Sequence, residues 1–196
     1  RKVFFLGAWI SKLGYEADKE KVKGILEVPF PITKKKLMSW LGLINWFRPL
    51  LKNCAAELKP MSDLLAGKER KIEPTPEATR AFNNMKRKLT EMPILIMPDP
   101  DKQFYLWCDA SFEGLGCALT HKIENEEGKE VYKPISYSSR VLTPSEHKWP
   151  SFKLEMRAVL WSILKYEHLL YGSPRPFVVY TDMKSLTQPG YLNKTT

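Results

Sequence analysis

The chain has 196 residues, 43% of them hydrophobic, which is enough for one large domain or two small ones with a real core. No apolar run approaches the length of a membrane span and no secretory leader opens the chain, so neither a membrane partner nor secretion is expected. The net charge of +9 is uneven: residues 1–98 hold 19 Lys and Arg against 10 Asp and Glu, and residues 99–196 hold 12 against 12. A solvated surface is the bland reading of that basic half; a face that grips a polyanion is the sharper one. The start at Arg1, without a methionine, suggests a piece of something longer. Cys54, Cys108 and Cys117 have no metal-ligand spacing and read as reduced, buried thiols of an intracellular protein, with Cys108 opposite Cys117 in a hairpin.

Residues 3–10 (VFFLGAWI) read as a strand, after which Gly14 lets the chain turn. Asp18 can cap a helix over 19–28, ended by Pro29 and Pro31. Thr33 caps the next helix, whose Leu37, Trp40, Leu41, Ile44 and Phe47 recur at helical spacing and whose outer face begins with Lys34, Lys35 and Lys36. Pro49 interrupts it, and 50–65 forms a further helix or a pair of turns. Pro76 opens a helix over 77–92, with Ala81, Phe82, Met85 and Leu89 inward and Lys86, Arg87 and Lys88 outward. Trp40, Trp46 and Phe47 lie on or beside an apolar stripe, so core packing is preferred for them over base stacking.

Three prolines in 93–101 carry the chain into a second unit. Strands are expected over 103–109, 114–121 and 130–138, then a long helix over 151–171 with Phe152, Met156, Val159 and Ile163 as its apolar stripe, then a strand over 177–181. A meander, a helix and a returning strand describe a mixed sheet covered on one face. The segment QFYLWCDAS (103–111) ends a buried run in Asp109, FVVYTD ends in Asp182, and Glu155 lies early in the helix. If the first and fourth strands are neighbours, both aspartates and the glutamate meet. Three such acids repel unless cations neutralise them, which implies Mg²⁺. Two ions about 3.5–4 Å apart are the arrangement that supports in-line phosphodiester displacement. His121, His147 and His168 share no ligand spacing and are taken as structural or exposed, and Gly114 and Gly116 as hairpin residues.

The segments PILIMPDPDKQFYLWCDASFEGLGCALTH, KPISYSSRVLTPSEHKWPSFKLEMRAVL and FVVYTDMKSL resemble the ribonuclease H domain of gypsy-type LTR retrotransposon Pol polyproteins. Upstream, FFLGAWISKLGYEADKEKVKGILEVPFPITKKKLMSWLGLINWFRPLL resembles the end of the reverse transcriptase in that family, from the primer-grip hairpin through the thumb. The resemblance implies an α+β chain: a small basic helical, thumb-like subdomain (1–92), a linker (93–102), and a C-terminally incomplete RNase H-like mixed-sheet domain (103–196). It implies Mg²⁺-dependent cleavage of the RNA strand of RNA/DNA hybrids. Asp109 matches the first metal ligand, Glu155 the helix glutamate and Asp182 the aspartate after the fourth strand. Lys34, Lys35, Lys36, Lys86, Arg87 and Lys88 become candidates for sequence-independent, salt-sensitive phosphate contact. The implied partners are a hybrid or other duplex, the fingers and palm of the reverse transcriptase, and a second copy in a dimer. The implied location is a cytoplasmic particle or the nucleus.

Met183, Lys153 and Ala8 depart from the family's usual His, Glu and His, at positions that are not metal ligands. The family's fourth carboxylate lies beyond residue 196, and the polymerase palm with its paired aspartates is absent, so no DNA synthesis is expected of this stretch alone. A non-catalytic connection module of the same shape is the rival from another class. A transposase or integrase of related fold fits poorly beside a thumb-like half.

Overall fold

The computed structural model describes residues 1–67 and 69–183. The expected single strand over 3–10 is two, β1 (Lys2–Phe5) and β2 (Ala8–Ser11), because Leu6 and Gly7 both take positive φ (49° and 83°). A two-residue turn of that hand matches the twist of paired strands, so the run folds back on itself. β3 (Gly14–Ala17) completes an antiparallel meander in the order β1-β2-β3. At Gly14 any Cβ would run into the Leu95 carbonyl. That close approach lets the Tyr15 N–H donate to Leu95 O (2.6 Å) and the Leu95 N–H donate to Tyr15 O (2.9 Å).

Four helices follow: α1 (Lys19–Glu27), α2 (Lys34–Trp46), α3 (Cys54–Asp63) and α4 (Pro76–Thr90). Thr33 Oγ1 accepts the Lys36 N–H (3.3 Å) and Thr75 Oγ1 the Ala78 N–H (3.2 Å), which satisfies donors that a helix start leaves unpaired. Asp18 does not cap α1; its carboxylate accepts the Trp9 indole N–H at 3.3 Å. The expected inward residues of α2 and α4 are all buried, with Trp40 against Phe82 at 4.8 Å between ring centroids and Trp46 against Phe47 at 4.7 Å. Those aromatic rings are packing, not a platform for bases.

Residues 93–102, expected as a linker, are fastened at three points rather than free. Besides Leu95, the Ile96 N–H donates to Pro134 O (2.9 Å) and the Asp99 N–H to His121 Nε2 (3.0 Å). His121 is buried, and its Nδ1 faces Gln103 O at 2.9 Å, so the ring is a structural clip.

The second core is built on β4 (Phe104–Ala110), β5 (Gly114–Glu124), β6 (Glu130–Val141) and β7 (Val178–Tyr180), in the order β6-β5-β4-β7. β4 and β7 are parallel and the other pairs antiparallel. A parallel return needs a crossover, and α5 (Ser151–Lys165) with the short α6 (Glu167–Leu170) supplies it. The single helix expected over 151–171 breaks at buried Tyr166, whose hydroxyl donates to Ser138 Oγ (3.3 Å).

The expected apolar stripe of α5 is only half right: Val159 and Ile163 are partly buried against the core of the sheet. Phe152 and Met156 are exposed, while Leu154, Glu155, Ala158 and Ser162 face the sheet. The sheet already presents Phe104, Leu106 and Leu119, so beyond Leu154 and Glu155 the helix approaches on the small Ala158 and Ser162. Cys108 and Cys117 do stand opposite each other, and all three thiols are free and buried. Burial pushes the Cys108 thiol up to about 12, which keeps it protonated and unreactive. Among the described residues no helix is long and apolar enough to cross a membrane.

Candidate active site

The last β4–β7 pair places Trp107 opposite Tyr180, so Asp109 and Asp182 each lie two residues further along parallel neighbours. Both line one cleft of about 600 Å³. Asp109 and Asp182 are open to solvent at its mouth. Glu155 reaches the same place from α5 and is only 6% exposed. Its carboxyl is pushed up to about 7, by burial first, then by the charges of Asp182 and Asp109; a hydrogen bond from the Ala110 backbone pulls the other way. Glu155 Oε2 is buried with no hydrogen-bond partner. The three acids inferred from the sequence are therefore close enough to act on one another's charge.

An orphaned buried carboxylate oxygen beside two further carboxylates is a donor set suited to a hard divalent cation. As they stand, though, no three His, Cys, Asp or Glu side chains among the described residues are grouped tightly enough to hold a metal ion.

The lysines divide differently from expectation. Lys86 and Lys88 do not point outward: Lys86 Nζ donates to Leu26 O (2.7 Å) and Val28 O (2.5 Å), and Lys88 Nζ donates to Lys52 O (3.0 Å) and pairs with Glu57. Burial lowers the Lys86 pKa, as befits an amine spent on closing the end of α1. Lys34 Nζ similarly donates to Gly67 O (2.7 Å) and Ala66 O (3.2 Å). Arg87 pairs with Glu91 at 3.0 Å on the surface, and Lys35 and Lys36 are exposed.

Near the site, Thr143-Pro144-Ser145-Glu146 carries a sequence signal of its own, a capping-box pattern. Glu146 Oε2 accepts the Thr143 N–H (2.9 Å) while Thr143 Oγ1 accepts the Glu146 N–H (3.3 Å). The same buried carboxylate takes Arg140 from β6 through both of its terminal nitrogens (2.7 and 2.6 Å) and Arg157 Nε from α5 (3.2 Å). It ties the helix to the sheet two residues from Glu155. Arg140 foremost holds the Glu146 carboxyl far below the usual carboxylate range.

A mixed sheet with a parallel fourth strand, a crossing helix and acids at this one end defines an RNase H-like fold. Residues 75–183 match the family described as the RNase H-like domain found in reverse transcriptase. The chain belongs to that family. The matched span begins before α4, inside the helical part.

The chain is 35% identical over 196 residues to the retrovirus-related Pol polyprotein from transposon gypsy of Drosophila melanogaster, covering 94% of this chain and 18% of that one. It is 32% identical to the corresponding polyprotein from transposon opus of the same fly, covering 95% and 19%. It thus spans about a fifth of the length of these relatives. Among solved structures, it is similar to the foamy viral protease-reverse transcriptase in complex with dsDNA, at TM-score 0.82 and 26% identity over all of this chain and 39% of that one. The same foamy viral enzyme in complex with an RNA/DNA hybrid matches at TM-score 0.76 and 26% identity, over 100% and 26%.

Proposed function

We propose that the chain serves as the ribonuclease H part, with the adjoining thumb, of a retroelement reverse transcriptase, and that it hydrolyses the RNA strand of RNA/DNA hybrids. The observation that carries this reading is the buried, unpartnered Glu155 oxygen beside Asp109 and Asp182 at one end of an RNase H-like sheet. Asp109, Glu155 and Asp182 would hold Mg²⁺, which when bound supplies Lewis-acid activation of the scissile phosphodiester and of the attacking water. Glu155 serves as the fixed member, since α5 carries it and Glu146 anchors α5 through Arg157. The two aspartates, open to solvent, would present bound Mg²⁺ to an incoming phosphate.

Lys35 and Lys36 are the exposed cations of the predicted set available for the duplex backbone, while Arg87 is paired with Glu91. Val3, Phe4, Phe5 and Leu6 are more than half exposed on the first hairpin, an apolar patch of the kind a neighbouring part of a longer polypeptide covers. The polymerase fingers and palm fit that role.

The looseness of the acid group favours one rival, a connecting module that keeps the fold and binds the hybrid without cutting it. End-labelled hybrid is incubated with the chain alone, and with the chain followed by the next segment of a gypsy-type Pol polyprotein. The nuclease reading expects Mg²⁺-dependent cutting of the RNA strand, reduced about a hundredfold or more by Asp109→Asn. Equal cutting by that variant, or cutting in EDTA, contradicts the assigned roles; binding with no cutting in either form selects the connecting module.

A further inference from the structure

The cleft that holds Asp109 and Asp182 is not made by the sheet alone. Lys52 and Asn53, immediately before α3, form part of its wall. Asn53 stands at the N-cap of α3, a position where an asparagine side chain ordinarily accepts a hydrogen bond from the helix start. It makes no such bond. The sheet does that work instead: Ser139 Oγ on β6 accepts the Ala55 N–H at 2.9 Å.

Released from capping, the Asn53 amide lies over β5. A Cβ at Gly116 would come within 2.9 Å of Asn53 Oδ1, and Gly116 is the residue paired with Asp109 in the β4–β5 register. An asparagine and a lysine from the helical part therefore line the same opening as the two aspartates. Acids alone would repel a polyanion at that point. An ammonium together with an amide offers it a counter-charge and hydrogen bonds.

We infer that Lys52 and Asn53 are nucleic-acid contacts belonging to the helical subdomain, and that they hold the sugar–phosphate backbone of the strand presented to Asp109 and Asp182. This rests on the nuclease reading above and adds a second wall to its site. Lys52 pairs with a phosphate, and the Asn53 amide hydrogen-bonds either a phosphate oxygen or a ribose hydroxyl. The docking of α3 on β6 then has a functional consequence, because it sets the width of the opening.

Asn53 sits at φ 55°, a left-handed conformation that asparagine tolerates, and that tolerance alone would account for its presence. Glycine meets the backbone requirement at least as well, so Asn53→Gly removes the amide and leaves the turn unstrained. Asn53→Asp keeps the shape and places a negative charge in the cleft. Equilibrium binding of an RNA/DNA hybrid and of the matching DNA duplex is measured in Ca²⁺, so that the RNA stays whole, with thermal unfolding as the check on folding.

Asn53→Gly is expected to weaken hybrid binding about three- to tenfold with an unchanged unfolding midpoint, and Asn53→Asp to weaken it further. Lys52→Ala is expected to lower the slope of log affinity against log salt by about one. A loss confined to the hybrid identifies a ribose hydroxyl as the ligand of Asn53, and an equal loss on both duplexes identifies a phosphate. Hybrid binding by the natural chain that is matched by folded Asn53→Gly and Lys52→Ala overturns this inference and leaves the nuclease reading standing. Failure of the natural chain to bind either duplex overturns both.

Discussion

Glu146 and Glu155 are both buried carboxylates, and the fold treats them in opposite ways. Glu146 has two arginines and a backbone N–H; Glu155 has two like charges and an oxygen with no partner. Glu146→Gln should cost about 2–4 kcal/mol in urea unfolding at pH 7, less than a fully buried pair because Arg157 keeps 39% of its side chain exposed. The Glu146 pKa is depressed on folding, so its contribution is full above its ordinary value of 4.5 and is lost as pH falls below that. The gap between the natural chain and Glu146→Gln should therefore narrow in acid, and a gap constant down to pH 3 would contradict this. Glu155 has the reverse sign. Its raised pKa means the folded chain holds a proton that the unfolded chain releases, so stability falls as pH rises from 4.5 to about 7. In EDTA at pH 8, Glu155→Gln should be more stable than the natural chain by about 1–3 kcal/mol, and should lose that advantage at pH 4. A natural chain that is the more stable at pH 8 would show that Glu155 is not strained there.

At the scale of elements, α2 and α4 were legible because each carries its own start signal and a one-sided stripe. Thr33 and Thr75 cap as their positions suggest, and thermal melts should show each Thr→Ala variant weaker by about 1 kcal/mol. Asp18→Ala should not lose a cap term, since Asp18 is bonded to the Trp9 indole; a loss as large as at Thr33 would refute that distinction. α5 was legible as a helix but only partly in its orientation. Of the expected stripe, Phe152 and Met156 are exposed, while Val159 and Ile163 are partly buried against the core of the sheet. Burial was decided by the partner surface: a sheet face crowded with Phe104, Leu106 and Leu119 takes Ala158 and Ser162, and no periodicity count contains that information. Hence Ala158→Leu should destabilise by about 1–3 kcal/mol through overpacking, whereas Phe152→Ser should stay within about 0.5 kcal/mol. The opposite ranking would restore the sequence-based stripe.

At the scale of the whole molecule, two buried clusters are held together by α3 on β6 and by the fastened 93–102 stretch. Strand ends bounded by Asp109 and Asp182 could be read from sequence because a buried run that stops at a carboxylate is a local pattern. The internal use of Lys34, Lys86 and Lys88 could not, since the carbonyls they close come from 33, 60 and 36 residues away. The wall formed by Lys52 and Asn53 was hidden for the same reason: it exists only once the helical part sits on the sheet. The central claim is that Asp109, Glu155 and Asp182 form one cation-dependent site. Calorimetric titration of the chain with Mg²⁺ tests it most directly, comparing the natural protein with Asp109→Asn, Glu155→Gln and Asp182→Asn. The account predicts saturable binding that each variant weakens at least about tenfold while remaining folded. Binding left unchanged by all three substitutions would contradict it.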